Sequence, residues 1–289
     1  MRSKLFVPGS RADLFAKALA GDADTISFDV EDSVPEGAKA RAREQVAGVI
    51  RSAAVRESAK SIIVRINALG SPEFEADVTA FATPGVALLN LPKVQCAEDV
   101  QQAAAALERA ECLNGVEQPI QLLINIETPR ALRLAAMIAG SHPRVAGLQL
   151  GLGDLFEPQG MNRRDLASVH AAMFAVRMAC GEYGRFAYDS AFPDLDDAEG
   201  FRREAELARS LGYAGKSCVH PQQVSLANEI FRVGELTLAA ARRIVAASKA
   251  AARLGHGAFV VDGRMIDLPS LRRAEALLAD PQDGALRPR

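Results

Sequence analysis

Eight short runs rich in Val, Ile, Leu and Phe recur along the chain, at residues 4–7, 25–30, 61–66, 86–91, 121–126, 145–150, 185–188 and 214–219. Most are almost continuously apolar, the pattern of parallel strands buried on both faces. Between them lie stretches with apolar residues three and four apart, such as VPEGAKARAREQVAGVIRSA after the second run and DLASVHAAMFAVRMAC after the sixth. DAEGFRREAELARSLG after the seventh ends at Gly212, a helix-stop signal. Strand alternating with helix implies right-handed crossovers and a parallel sheet. Eight such units predict an α/β fold, a closed (β/α)8 TIM barrel. The rival is an open doubly wound sheet. That fold usually carries a glycine-rich phosphate loop after its first strand, and FVPGSR is not GxGxxG.

The repeat ends near Pro221, so the expected division is a barrel over residues 1–223 and a C-terminal extension over 224–289. The extension reads as a helix over 236–254, a short apolar pair turning at Asp262-Gly263, and a last helix over 269–279, with a frayed end.

A chain of 289 residues buries about three quarters of its unfolded surface and needs no disulfide or metal to fold. Its 36 acidic and 34 basic residues give a net charge of −2, which argues against a protein that lives on nucleic acid or an anionic membrane. Tryptophan is absent, so a stacking platform for single strands is also disfavoured. Cys96, Cys112, Cys180 and Cys218 form no CxxC pair, which suits reduced thiols and a cytoplasmic location. The N-terminus lacks a signal-peptide apolar run, and no stretch approaches the roughly 20 apolar residues that span a bilayer.

Barrel enzymes place their chemistry at the C-terminal ends of the strands. The residues there are Pro8-Gly9 with Arg11 beyond, then Asp29, Glu31 and Asp32, then Arg65 and Asn67, then Lys93, Glu127, Asp154, Asp189 and His220. Clustered carboxylates need a cation or must shift pKa to coexist. Glu127 and Asp154 close consecutive strands. With no His or Cys beside them, the pair suits a hard ion, magnesium or manganese, rather than zinc. The alternative is that each caps the helix that follows, since IETPR leads into a Pro-initiated helix.

Arg65 sits inside an apolar strand and needs an anion. Either a substrate carboxylate meets its fork, or Asp29 or Glu31 pairs with it internally, and both can hold at once. Lys93 offers a Schiff base to a keto substrate, or a phosphate contact or salt bridge. His220 is a general base or a hydrogen-bonded part of the rim. His142 falls at the opposite face, His170 on a helix and His256 in the tail. Arg11 and Lys17 suit a phosphate at a helix N-terminus, or a solvated helix face.

The set LFVPGSRADLFAKAL, DVEDSV, VRIN, LPKV, IET, GLGDL, GKSCVHPQQ and GRMIDLP resembles the citrate lyase beta-chain-like family, with its malyl-CoA, methylmalyl-CoA and citramalyl-CoA lyases. The resemblance runs nearly end to end, with the motifs in the family's order. It implies a (β/α) barrel with a C-terminal extension, assembled as a homotrimer or hexamer. It implies Mg2+ held by Glu127 and Asp154, a keto-acid carboxylate gripped by Arg65, and Glu31 against that site. It further implies that Asp267 reaches a neighbouring subunit's site to exchange a proton with the thioester α-carbon. Arg11 and Lys17 match the family's coenzyme A contacts.

Three departures stand out: Gly153 where the family often has Glu, and Val30 and Ser33 in the DVEDS motif. They put the surroundings of the metal, and with them substrate choice, in question.

The chemistry implied is Mg-dependent cleavage of a 3-hydroxy-dicarboxylyl-CoA thioester, of the citramalyl-CoA or malyl-CoA type, to acetyl-CoA and pyruvate or glyoxylate. The reverse reaction is a Claisen condensation. The alternatives are a citrate lyase beta chain acting on a carrier-protein-bound citryl thioester, a malyl-CoA thioesterase, and a barrel kept as a binding module.

Overall fold

The computed structural model describes residues 1–253 and 257–279. His256, the end of the helix expected at 254, and the C-terminal end from residue 280 lie outside the described residues. The described residues fall into two compact units, Met1–Phe231 and a second beginning at Arg232.

The first unit is built on eight parallel strands: β1 (Ser3–Pro8), β2 (Thr25–Asp29), β3 (Ser61–Arg65), β4 (Leu88–Leu91), β5 (Gln121–Ile126), β6 (Val145–Leu150), β7 (Phe186–Tyr188) and β8 (Lys216–Cys218). Their order around the sheet is β7-β6-β5-β4-β3-β2-β1-β8. A parallel bridge between Asp189 and Lys216 brings β7 to β8 and completes the ring. Asp189 N–H donates to Gly215 O (3.0 Å), and Ser217 N–H donates to Asp189 O (3.2 Å). The eight-stranded barrel expected from the sequence is thus present.

Alternation along each strand sorts the side chains into two environments. Leu5, Val7, Ile62, Val64, Leu122, Ile124, Leu148 and Leu150 belong to the main core shared with the surrounding helices. The alternate residues face the barrel axis. There Ile63, Leu88 and Leu123 form a separate small cluster with Met1 and Phe186. Toward the C-terminal ends the inward series turns polar: Asp29, Arg65, Asn90, Asn125 and Gln149 are inward by the same alternation.

The first compact unit ends at Phe231. The helix Pro221–Ile230 packs against β1 and β8 and is the last helix of the barrel. With no barrel strand after it, the sequence alone could not distinguish it from the start of the extension.

In the second unit a helix over Glu235–Arg253 is followed by an antiparallel hairpin, Phe259–Val261 with Arg264–Ile266, and a last helix over Leu268–Ala279. Asp262 and Gly263 both have positive φ (52° and 77°), as a two-residue hairpin turn requires.

Candidate active site

The polar inward residues of β2, β3, β5 and β6 meet around a cavity of about 370 Å³ at the C-terminal end of the barrel. Its lining includes Asp29, Arg65, Asn125, Glu127, Gln149 and Asp154. Most of the sequence-predicted site residues of the barrel therefore converge.

Arg65 is held side-on by Asp29, with Nε to Oδ1 at 2.8 Å and Nη2 to Oδ2 at 2.7 Å. Its Nη1 lies 3.0 Å from Glu31 Oε2. The internal pairing foreseen for Arg65 is therefore made. A guanidinium has five N–H donors. Asp29 takes two; Nη1 faces Glu31 as an ion pair without hydrogen-bond alignment, and one N–H on Nη2 is left over. Burial opposes the charge on Arg65, but Asp29 and Glu31 more than offset it and raise its pKa.

Glu31 is almost wholly buried between two cations, Arg65 and Lys93, the second at 2.7 Å from Oε1. The contacts are ionic and lack hydrogen-bond alignment. Burial pushes the Glu31 carboxyl up, while Arg65 and Lys93 pull it down, and burial prevails.

Lys93 Nζ also lies 3.0 Å from Asp32 Oδ1. Burial lowers the Lys93 pKa, but the bonds to Glu31 and Asp32 outweigh it and hold the ammonium charged. A Schiff base requires the neutral amine, so the salt-bridge reading of Lys93 is the one the geometry favours.

Glu127 follows β5 and is 2 % exposed. Lys93 N–H donates to its Oε1, and Asn125 Nδ2 donates to its Oε2 (2.9 Å). Asn125 is itself held by Asn90 Nδ2 (2.7 Å). Glu127 caps no helix; Thr128 does, accepting from Ala131 N–H at 3.1 Å with Pro129 in the first turn. The chain after β6 presses against Glu127 so closely that a Cβ at Gly151 would stand 2.7 Å from the Glu127 Cβ. Burial, with the Asp154 and Glu31 charges, pushes the Glu127 carboxyl up to about 7 against the Lys93 N–H bond. Asp154 is exposed to the cavity, in the first turn of the short helix Leu152–Phe156. Burial and the Asp32 charge raise its pKa too.

Two carboxylates that burial and neighbouring negative charges hold up toward protonation fit a cation between them. The donor set is all oxygen, which suits a hard ion that completes its shell with water and substrate. Among the described residues no group of three or more His, Cys, Asp or Glu gathers to hold a metal; Glu127 and Asp154, both lining this cavity, are two that could hold one. At Gly153 a Cβ would meet nothing within 4 Å, so the glycine leaves open space where the family often places Glu. Ser33 ties back to Asp29, with Oγ 3.3 Å from its carbonyl oxygen.

A second cavity, of about 690 Å³, opens beside the first and shares Phe6, Pro8 and Val219 with it. Its walls are largely apolar, with Lys17 and His220 among the polar residues. Arg11 points to solvent and pairs with Asp13 at 2.7 Å. His220 starts the helix Pro221–Ile230, its Nδ1 accepting from Gln222 N–H at 3.3 Å, so the structural role is the one observed. Asp267 lies in the second unit at the start of the last helix, accepting from Ser270 N–H at 3.0 Å.

Sequence reasoning missed Asn125, Gln149, Arg163 and Ser190, all of which line the first cavity. For Asn125 and Gln149 a signal existed: each is a polar residue at an alternate position of an apolar run. Arg163 sits on a loop and is held by Glu204 (Nη2 to Oε1, 2.9 Å), which also receives Lys216 Nζ (2.6 Å). No periodicity marks such a cluster. No described helix is long and apolar enough to cross a membrane.

A model of the HpcH/HpaI aldolase/citrate lyase family matches residues 2–221 of this chain. The L-malyl-CoA/beta-methylmalyl-CoA lyase of Cereibacter sphaeroides is 35 % identical, over 96 % of this chain and 93 % of that protein. A citrate lyase subunit beta-like protein of Deinococcus radiodurans is 37 % identical, over 96 % of both chains. Among solved structures, the protein CitE of Mycobacterium tuberculosis, crystallised with magnesium, acetoacetate and coenzyme A, superposes with a TM-score of 0.73. It is 31 % identical, over 96 % of this chain and 98 % of that one.

Proposed function

The chain belongs to the HpcH/HpaI aldolase/citrate lyase family, and from that premise we propose that it is a magnesium-dependent carbon–carbon lyase acting on a 3-hydroxy-dicarboxylyl thioester of coenzyme A. The observation that carries this reading is the placement of Glu127, Asp154 and Arg65 around one cavity of about 370 Å³. Relatives named as acyl-CoA lyases and a magnesium-bound structural neighbour support it.

Glu127 and Asp154 would hold the Mg2+, with Mn2+ as the alternative ion. The bound ion supplies Lewis-acid polarisation of the substrate hydroxyl and carboxylate oxygens. Arg65, with N–H groups beyond the two that Asp29 accepts, takes the substrate carboxylate. Asp29 and Glu31 hold the guanidinium in place, so it need not reorganise as substrate binds. Glu31 also balances Lys93, which keeps the cavity from becoming strongly cationic. The second, apolar cavity receives the thioester arm, with Lys17 near its phosphates and Arg11 free to swing from Asp13.

In the reaction the hydroxyl gives its proton to water in the cavity and the bond between the hydroxyl-bearing and α-carbons breaks. The bonding pair passes to the thioester enolate, which is protonated at carbon. Asp267 of a neighbouring subunit is the proton donor in this reading. The products are acetyl-CoA and a keto acid, pyruvate or glyoxylate.

Self-association, as a trimer or hexamer, is part of the proposal. Its support is an exposed apolar line on the helix Leu166–Glu182. Leu166, Phe174 and Met178 are 49 %, 49 % and 52 % exposed, and His170 stacks on Phe174. A contiguous apolar patch is unusual on a monomer.

The test is cleavage of malyl-CoA, methylmalyl-CoA and citramalyl-CoA with and without EDTA, following keto-acid release. Activity lost in EDTA and restored by Mg2+ is the expected result. Turnover only of a carrier-bound citryl thioester would move the assignment to a citrate lyase beta chain, and release of a free hydroxy acid would move it to a thioesterase.

A further inference from the structure

One polar side chain on the cavity floor has no role in the reaction as described. Gln149, on β6, is 4 % exposed and lines the cavity. Its Oε1 accepts from Lys4 Nζ. Its Nε2 has no protein partner among the described residues and is not sealed off from the cavity. A buried amide that leaves two N–H donors unpaired is costly unless something completes it.

Lys4 explains why the amide points this way. It is wholly buried inside the barrel, with Nζ 4.5 Å from the centre of the Phe6 ring and 5.3 Å from that of Tyr188. Burial and the nearby Arg65 push its pKa down, while Asp29 opposes them. Lys4 donates to the Gln149 carbonyl oxygen; an amide oxygen can only accept, and an ammonium can only donate. The contact therefore fixes the carbonyl of Gln149 toward Lys4 and turns its NH2 to the cavity. The same Phe6 ring lies 5.1 Å from the Arg65 guanidinium carbon. Gln149 and Arg65 thus approach the cavity around one aromatic ring, each with N–H groups that no hydrogen bond takes up. Donors without acceptors fit a group that only accepts, such as a carboxylate.

We infer that Gln149 is a second anchor for the carboxylate of the keto-acid portion, acting with Arg65 in an orientation set by Lys4. This rests on the lyase reading for the identity of the ligand. The interaction adds a neutral amide donor to the guanidinium, so it fixes the carboxylate plane without adding charge next to the Glu127–Asp154 pair.

The test uses oxalate as the probe, measured by titration calorimetry with Mg2+ present, on the full-length protein and on Q149E. This variant keeps the side-chain shape, gives Lys4 a carboxylate partner, and replaces the two donors with an acceptor. Oxalate should bind at least 10- to 100-fold more weakly, the size expected for losing a hydrogen bond to a charged group. In the condensation direction the KM for glyoxylate or pyruvate should rise by a similar factor, and the KM for acetyl-CoA should stay within about twofold of the parent.

If Q149E fails to fold, Q149A carries the same comparison, with room for water to meet Lys4. Unchanged oxalate affinity in the folded variant, or no oxalate binding by the parent, overturns the inference. A parent that binds oxalate and discriminates against Q149E, yet cleaves no thioester, overturns the lyase reading and leaves the Gln149 contact standing.

Discussion

Lys93 donates its backbone N–H to Glu127 from a left-handed conformation, φ 57°, that an L-residue adopts only at a cost. That strain amounts to about 1–2 kcal/mol, and it aims the N–H at a carboxylate assigned to the metal. Replacing Lys93 by Gly keeps the backbone turn and removes the ammonium; replacing it by Ala removes the ammonium and keeps the strain. Lys93→Gly should therefore melt higher than Lys93→Ala, by an amount equivalent to about 1 kcal/mol. Both should lose activity by at least about tenfold, because Glu31 and Asp32 lose a cation. Parallel melting curves and kcat/KM values check this, and equal melting of the two variants would sink the strain argument.

Arg65 is paired with two buried carboxylates and still faces the cavity. Arg65→Met strands Asp29 and Glu31, both nearly fully buried. Breaking a buried ion pair from one side costs about 3–5 kcal/mol. Arg65→Lys keeps the charge but cannot reproduce the side-on pair with Asp29. The expectation is a folded Arg65→Lys protein with kcat/KM down by at least about 100-fold and an Arg65→Met protein strongly destabilised toward urea. Near-parental stability of Arg65→Met would contradict the buried-pair account.

The barrel seam makes a separate prediction. Lys216 and Asp189 are both fully buried, 2.7 Å apart, and Lys216 also meets Glu204 at 2.6 Å. Lys216→Met leaves two buried carboxylates with Arg163 as their remaining cation. A loss of about 3–5 kcal/mol is expected by urea denaturation. A loss below about 1 kcal/mol, the range of exposed pairs, would show that water reaches this network.

The outline of the fold was legible because a parallel barrel writes itself as eight apolar runs, and even the three-residue strands Phe186–Tyr188 and Lys216–Cys218 left a trace. Arg65, Glu127 and Asp154 were legible because strand ends can be counted. Gln149 and Lys4 were not, since a polar residue in an apolar run gains meaning only when closure decides which face looks inward. Arg163 was invisible for a different reason: its partners Glu204 and Ala191 lie 41 and 28 residues away. The role of Asp267 came only from resemblance, for nothing in its local sequence separates it from an ordinary helix cap.

Gly153 is the departure most open to test. A side chain there meets open space, and the residue lines the cavity next to Asp154. Gly153→Glu should fold normally and bring a further carboxylate to the metal pair. Mn2+ affinity, read by electron paramagnetic resonance, should rise, while the KM for the anionic substrate also rises. A fall in Mn2+ affinity would mean that the added carboxylate raises repulsion without reaching the ion.

Sharing of the active site between subunits can be tested by mixing. In the proposed assembly Asp267→Asn and Arg65→Ala chains are each inactive, for different reasons: one lacks the proton donor, the other the carboxylate anchor. A mixed oligomer contains sites built from an intact Arg65 on one chain and an intact Asp267 on the next. Equal mixing followed by subunit exchange should restore a fraction of parental activity, at most about one quarter if each site draws on two randomly chosen chains. Phe174→Glu, which charges the exposed apolar line, should lower the mass seen by light scattering and abolish the recovery together. Recovery without any oligomer, or an oligomer without recovery, would separate assembly from catalysis and remove Asp267 from the reaction.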